Sequence, residues 1–285
     1  MFSEALAILK GGDKDASGWY TAKFQQALDD MAKKHPELAP GKDQSARDLY
    51  TTLVAITSDG AKVSINLRFA DNVYEAYKKT GKVNTHIPSG ERSASYKTNL
   101  DFLQNLIEEK GLAEAFEYLS VKQKVSTLEK EMGVKASGFS KTMELPRSSV
   151  FGPKLGMFWA NLMGQPEWLT MDRWWSRTFN RYRGGMTSQP SKAAIENFKK
   201  LLGKPKAQAK ALTGLVDAPK NTKDRNFQFD VTDEVVTLLK EEGFEEMTIS
   251  DLQAILWYGE KRRMREKGSK SPISEVDYSD VTDQV

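Results

Sequence analysis

Apolar side chains recur at helical spacing through most of this chain. Phe24, Leu28 and Met31 fall on one helix face, and the same spacing returns between residues 63 and 79. The run 155–163 is apolar all round, which is typical of a helix buried in a core. The pattern therefore predicts an all-α protein, with helices near residues 49–56, 63–79, 93–110, 155–163, 172–181, 190–202, 231–242 and 251–267.

The composition excludes several classes of functional site. The 285 residues include no cysteine, so disulfides, thiolate zinc sites and cysteine-held iron–sulfur clusters are ruled out. The two histidines, His35 and His86, are too far apart in sequence to suggest a metal centre. No apolar run reaches transmembrane length, and no signal-peptide pattern is present. We therefore expect a cytoplasmic protein that needs no cofactor and no metal.

Positive charge is concentrated in the middle and later parts of the chain. The formal net charge is only +3, but residues 147–184 carry six Lys or Arg against two Asp or Glu. Residues 192–225 carry nine against three, whereas residues 275–285 carry four acids and no base. This distribution is compatible with an anionic partner, and equally with a solvated lysine-rich face.

One lysine and one aspartate stand eighteen positions apart at the starts of two adjacent predicted helices. Lys154 lies in Leu145-Pro146-Arg147-Ser148-Ser149-Val150-Phe151-Gly152-Pro153-Lys154-Leu155-Gly156, where the proline suits a first helical turn. Asp172 opens Asp172-Arg173-Trp174-Trp175-Ser176-Arg177, an amphipathic helix with an arginine face. The stretch therefore predicts a turn, a buried helix, a short loop and a second helix.

These residues resemble the catalytic core of the helix-hairpin-helix (HhH-GPD) DNA glycosylases, the superfamily of endonuclease III and 8-oxoguanine glycosylase. The similarity covers roughly residues 45–185 and is most specific around Lys154 and Asp172. It implies a two-lobed helical fold with the active-site cleft between the lobes, here without an iron–sulfur cluster. The segments predicted on this basis are N-terminal helices at 1–44 that pack with the C-terminal lobe, the glycosylase-like core at 45–185, the C-terminal lobe at 186–270 and an extended acidic tail at 271–285.

The resemblance implies a bifunctional DNA glycosylase and AP lyase. Asp172 would stabilise the positive charge that develops as a base leaves its sugar. Lys154 would attack the anomeric carbon and form a Schiff base. The expected partner is double-stranded DNA carrying a damaged or modified base, which must be flipped out of the stack to react. A monomer associated with the nucleoid is expected, and a virus-encoded enzyme for modified bases is also compatible.

Candidate contacts follow from the same alignment and from helical spacing. The base pocket would be formed by Phe158, Leu162, Trp257, Tyr258 and Trp174, all of which could instead be core residues. Ser58 or Asp59 would be the wedge that enters the duplex where a base has left. The predicted DNA contacts are Arg147, Ser148, Ser149, Gly152, Gly156, Lys62, Arg173 and Arg177, with Arg181 as a further member of the arginine face.

Two other functions remain open from the sequence. The hairpin has Arg147-Ser148-Ser149-Val150 where the family usually carries a glycine-rich turn, which favours a DNA-binding or base-modifying protein that has lost base excision. A helical module that binds an acidic partner is the third alternative. Lys154 and Asp172 could then be only a phosphate contact and a helix cap.

Overall fold

The computed structural model confirms the all-α fold class. It describes residues 1–11, 18–133, 138–185, 196, 200, 218–266 (side chains up to 263) and 277–285. The α-helices of this part of the chain are α1 Phe2–Lys10, α2 Phe24–Met31, α3 Gln44–Thr57, α4 Val63–Thr80, α5 Ser93–Lys110, α6 Leu112–Ser120, α7 Val125–Met132, α8 Leu155–Leu162, α9 Arg173–Tyr182, α10 Thr222–Glu241 and α11 Ile249–Glu266.

Shorter elements connect these helices. Strands β1 Lys122–Lys124 and β2 Glu144–Pro146 form an antiparallel ladder in which Gln123 pairs with Leu145. A π-helical turn precedes α2 at Trp19–Lys23, and 3₁₀ helices span Pro36–Leu38, Arg147–Phe151 and Ser279–Gln284. The sequence Phe227-Gln228-Phe229 gives a weak extended signal, but these residues lie inside α10.

Helices α3 and α8 form the centre of the core. Helix α3 packs against α4, α6 and α8. All eight residues of α8 are buried, as its uniformly apolar sequence predicts. The indole nitrogen of Trp159 donates a 2.7 Å hydrogen bond to Thr52 on α3, which satisfies the one polar atom that this large side chain brings into the core. The interface holds the N-terminus of α8 at a fixed position.

An ion-pair cluster joins the N-terminal helix to two later helices. Arg181 on α9 donates two hydrogen bonds of 3.1 Å to Glu4 on α1 and one of 2.8 Å to Glu260 on α11. Glu260 is 2% exposed, so removal of Arg181 would leave a buried carboxylate without this partner. Arg181 therefore belongs to the scaffold, and its predicted place in a phosphate-binding stripe was wrong.

The C-terminal segment packs against the body of the protein. The tail was expected to be extended, but residues 279–284 form a 3₁₀ helix that lies on α2 and α4. The side chains of Tyr278 and Val281 are buried, and their burial favours packing of this segment against the rest of the protein. Asp277 pairs with Lys23 at 2.9 Å and accepts a hydrogen bond from the Tyr258 hydroxyl.

Several predictions are left untested by this structure. The buried apolar residues that it describes, apart from Tyr96, form a single cluster, and the two-lobed arrangement with its four segments stays a prediction. The predicted helix 190–202 and most of the region 204–225 lie outside the described residues. None of the helices searched in the described chain is both long and apolar enough to cross a membrane.

Candidate active site

The turn before α8 places Lys154 at the first turn of a buried helix. Gly152 adopts φ 107° and ψ 164°, a backbone conformation that residues with a Cβ rarely adopt. Its N–H donates to Ser149 at 3.0 Å and its carbonyl accepts from Gly156 at 2.9 Å. The predicted order of turn, buried helix, loop and second helix is confirmed. The arm before the turn is strand β2 and a 3₁₀ helix, however, so the described residues directly preceding it form no α-helix.

Gly156 is required for packing within the protein. A Cβ at this position would lie 2.4 Å from the carbonyl oxygen of Ser148 and 2.5 Å from the Cα of Ser149. The 3₁₀ helix and α8 therefore touch backbone to backbone at this glycine. The sequence interpretation, in which Gly156 lets the DNA backbone approach, is replaced by this internal contact because the residue is buried.

Replacing Gly156 with alanine is expected to destabilise the protein by about 3 kcal/mol or more, since overpacking against rigid backbone cannot be relieved by a side-chain rotation. Urea unfolding measures the loss. Gly185→Ala is the matched control, because a Cβ there meets nothing within 4 Å. Equal effects of the two substitutions would contradict the packing argument.

Three predicted phosphate contacts of the hairpin are held inside the protein. Ser148 is fully buried, and its hydroxyl donates to the carbonyl oxygen of Gly156 at 2.9 Å. Ser149 is 1% exposed. Arg147 donates to Gln123 at 2.7 Å and stacks over the ring of Tyr118 at 4.1 Å. The side chains of Ser148 and Arg147 therefore stabilise the hairpin, whereas the buried hydroxyl of Ser149 has no hydrogen-bond partner among the described residues. The predicted contacts through the two serine hydroxyls are wrong because those groups are buried.

Asp172 caps the N-terminus of α9. Its Oδ1 accepts a 2.7 Å hydrogen bond from the backbone N–H of Trp175. The preceding loop is fixed by Gln253 on α11, which bonds both the N–H and the carbonyl of Thr170. Because Asp172 follows Thr170 by two residues, this pairing sets the position of the carboxylate as well as its orientation.

Lys154 and Asp172 line the same pocket. Burial raises the pKa of Asp172, while the positive charges of Lys154 and Lys261 and the N–H of Trp175 act in the opposite direction. The carboxylate is thus held in a partly desolvated site, with amines from α8 and α11 within electrostatic range. Such a site strengthens interaction with a positive charge that develops during a reaction.

The wall of this pocket is largely aromatic. Phe158 and Trp257 line it, as predicted, together with three aromatic residues that were not predicted: Trp19, Tyr20 and Tyr278. The ring of Trp19 lies 6.2 Å from Phe158, 5.6 Å from Trp257 and 5.6 Å from Tyr278. The cavity volume is about 100 Å³, which is below the usual range of small-molecule sites, so the rings stand close together around it.

The three unpredicted residues come from the two ends of the described chain. Trp19 and Tyr20 are neighbours in the π-helical turn before α2 and both face the pocket. Turns of this kind are frequent at functional sites, but the sequence alone does not distinguish them from α-helix. Tyr278 is an aromatic residue within an acidic segment, and that isolated position was the available signal.

Three predicted pocket residues lie elsewhere. Leu162 is one further turn along α8 from Phe158, and it borders a separate cavity beside Arg47 and Asp48. Tyr258 lies under Lys23 and bonds Asp277, so it anchors the C-terminal segment. Trp174 lies outside the pocket, in the groove at its mouth, where Arg177 lies over its ring at 5.3 Å. The neighbouring Trp175 is the core residue of the pair.

The predicted wedge residues lie at the pocket mouth. Ser58 and Ala61 line both the pocket and an outer groove, as do Lys154 and Asp172, so the pocket opens into this groove. Asp59 lines the groove, and its backbone carbonyl accepts a 2.8 Å hydrogen bond from Tyr96. Lys62 follows at the N-terminus of α4 and is exposed.

Basic side chains outnumber acidic ones along the groove. Of the described residues that line it, Arg92, Lys154, Arg173 and Arg225 are basic, and Asp59 and Asp172 are acidic. Arg173 was predicted, whereas Arg92 and Arg225 were not, because they lie far from the motif in sequence. Arg225 is tied to Gly138 at 2.9 Å and Arg92 lies 3.8 Å from the carboxylate of Asp59, so both have partners within the protein. Arg173 stays the predicted contact for an anionic ligand.

No protein-family model, curated protein or solved structure matches the chain. The resemblance to the HhH-GPD glycosylases therefore rests on the sequence motif around Lys154 and Asp172 alone. Within the described residues no group of three or more histidine, aspartate or glutamate side chains is arranged to hold a metal ion.

Proposed function

We propose that this protein is a bifunctional DNA glycosylase and AP lyase that removes a damaged or modified base. The observation that carries the proposal is the shared pocket: an amine and a carboxylate lie in one aromatic-walled space that opens into a groove with more basic than acidic side chains. Each component has a defined task in excising a base that has been flipped out of duplex DNA.

The chemistry follows from these positions. Neutral Lys154 attacks C1′ of the deoxyribose, the bond between C1′ and the base breaks, and its electron pair leaves with the base. The proton lost by the amine is transferred to the departing base or to solvent. Asp172 stabilises the positive charge that develops on the sugar in the transition state. Opening of the sugar ring then gives the Schiff base, and loss of a C2′ proton expels the 3′-phosphate.

A second candidate is a DNA-binding protein on the same scaffold that does not excise bases. The hairpin favours it, because Ser148 and Ser149 are buried and Arg147 is engaged within the protein. The hairpin then offers fewer phosphate contacts than the family motif implies. This candidate predicts salt-sensitive duplex binding without cleavage.

A borohydride trapping screen tests the main proposal. The wild-type protein is incubated with duplexes that contain an abasic site or one of a panel of oxidised, alkylated and hypermodified bases. Sodium borohydride reduces a Schiff base to a stable covalent adduct, which is detected by its reduced mobility in a denaturing gel. We expect trapping on the abasic duplex and on at least one base-containing duplex. Binding without trapping on every duplex would favour the second candidate.

Alanine substitution of Arg173 is expected to weaken binding to duplexes of any sequence about equally. A phosphate contact contributes roughly one unit to the slope of log Kd against log salt, so this slope should fall by about 1. Fluorescence anisotropy between about 50 and 200 mM salt measures it. Lys10→Ala is the matched control, since Lys10 pairs with Glu242 on α10 and does not line the groove. An unchanged slope for the Arg173 variant would exclude a phosphate contact there.

A further inference from the structure

Apart from Lys154, Asp172 and the buried indole nitrogen of Trp257, which has no hydrogen-bond partner within the described part of the chain, several polar side chains of the pocket wall are occupied by bonds within the protein. Gln253 uses both ends of its amide on the backbone of Thr170. The hydroxyl of Tyr278 donates to Asn66, and the hydroxyl of Ser58 donates to Ala55 at 2.8 Å. A base that relied on hydrogen bonds from these groups would have to compete with contacts that fix the site. The wall therefore offers ring surface more readily than hydrogen bonds.

Aromatic contacts supply that surface from several sides. Trp19 meets Phe158, Trp257 and Tyr278, and Tyr20 meets Phe158 edge to face at 5.9 Å. Stacking of a base on an aromatic side chain contributes to binding whatever the hydrogen-bonding edge of the base, because every base has a π face. Selection by such a wall depends on how much planar area fits between the rings.

Tyr278 is the most firmly held part of the wall. Its hydroxyl bonds Asn66, whose amide in turn donates to Val54 at 2.9 Å and to Thr57 at 2.7 Å. Its ring packs edge to face on Phe24 at 5.5 Å, and the residue is 4% exposed. A larger ligand would have to break this network before the ring could move. Trp257, by contrast, is only half-buried.

The segment around Tyr278 is anchored on both sides. Before it, Asp277 pairs with Lys23 at 2.9 Å and accepts from Tyr258. After it, Val281 is fully buried against the body of the protein. Movement of the Tyr278 ring would therefore require displacement of the segment or a rotamer change that breaks the bond to Asn66.

We propose that Tyr278 is the size-determining wall of this pocket, which selects a planar base by stacking and by size rather than by hydrogen bonds to its edge. The inference rests on the proposed function, because it takes the ligand to be an everted base. It assigns a specificity role to the C-terminal segment, which neither the motif nor the groove includes.

Binding of free bases tests this independently of catalysis. Three probes are titrated against the intact protein, with tryptophan fluorescence as readout since Trp19 and Trp257 line the pocket. Adenine and hypoxanthine have similar size but different hydrogen-bonding edges. Adenine and N6-benzyladenine share the purine ring but differ in size. We expect the wild type to bind adenine and hypoxanthine within about threefold of each other, and N6-benzyladenine about tenfold more weakly, the scale of an overpacked site.

Two variants of Tyr278 distinguish the effect of its ring from the effect of its hydroxyl. Tyr278→Ala should bring the affinity for N6-benzyladenine to within about twofold of that for adenine, because the wall is removed. Tyr278→Phe should keep the wild-type ratio. Circular dichroism and thermal unfolding, which do not depend on the pocket, confirm that each variant is folded.

The outcomes distinguish this inference from the proposed function. Wild-type binding of N6-benzyladenine as tight as that of adenine, a large preference between adenine and hypoxanthine, or no binding of any base would overturn the role of Tyr278. A wild type that never traps on abasic DNA would instead remove the lyase chemistry. The free-base ratios would still decide whether Tyr278 limits the size of the ligand.

Discussion

Replacing Lys154 with glutamine is expected to abolish the borohydride-trapped complex on an abasic duplex. Glutamine keeps much of the length and polarity of the side chain but has no amine to form a Schiff base. Removing a covalent nucleophile typically lowers the rate by on the order of 10⁴-fold or more, so strand cleavage should fall below detection. Because Lys154 is at the edge of the core, thermal unfolding should be nearly unchanged.

Lys261 provides the matched control for this experiment. Its charge also acts on Asp172, and its ammonium lies 4.2 Å from the centre of the Trp257 ring, near the pocket. Lys261→Gln should keep trapping within about tenfold of the wild type, since a positioned neighbouring charge contributes far less than the nucleophile itself. If Lys261→Gln lost trapping and Lys154→Gln retained it, the nucleophile would be Lys261 on α11.

Replacing Asp172 with asparagine is expected to slow base release by about 10²- to 10³-fold, the usual effect of removing one electrostatic contact to the transition state. Asparagine caps a helix about as well as aspartate, so α9 should form normally. Trapping on an abasic duplex should decline less, because no base has to leave. Single-turnover kinetics on a base-containing duplex found in the screen measures the difference. Equal rates for the two proteins would exclude the proposed role of the carboxylate.

The same substitution is expected to stabilise the protein at neutral pH. Burial raises the pKa of Asp172 above the ordinary value of 3.8, so the folded protein holds this proton more tightly than the unfolded chain does. The resulting stabilisation is fully present below pH 3.8 and is lost as the pH rises through the raised pKa. The Tm of Asp172→Asn should therefore exceed that of the wild type at pH 7, and the gap should narrow in acid. A variant that is less stable than the wild type at pH 7 would contradict this sign.

Hydrophobic patterning was sufficient to predict the elements that hold the two reactive groups. Helix α8 is apolar all round and is buried all round, and Asp172 stands where a side-chain oxygen can cap α9. The signals for both features are local, since the apolar side chains that favour burial follow one another along α8 and a cap reaches only three residues ahead. The fold class and the positions of Lys154 and Asp172 in the chain could therefore be predicted without tertiary information.

Other assignments failed because local spacing does not specify distant partners. Phe158 and Leu162 share a face of α8 and lie one helical turn apart. Phe158 nevertheless lines the pocket, whereas Leu162 borders a different cavity. Gly156 carries the same sequence signal whether DNA or the protein's own backbone approaches it. Only the tertiary structure distinguishes the two, because a Cβ at Gly156 would lie 2.4 Å from the carbonyl oxygen of Ser148.

The amino-acid sequence by itself determined an all-helical chain with a lysine and an aspartate at two adjacent helix starts. Tertiary structure alone decided that Trp19, Tyr20 and Tyr278 would complete the pocket around them. Helix periodicity and capping depend on neighbours within a few residues, whereas the pocket wall is assembled by burial of apolar side chains from both ends of the chain. The hydrophobic effect is non-directional, so an apolar residue in the sequence does not indicate which surface it will pack against.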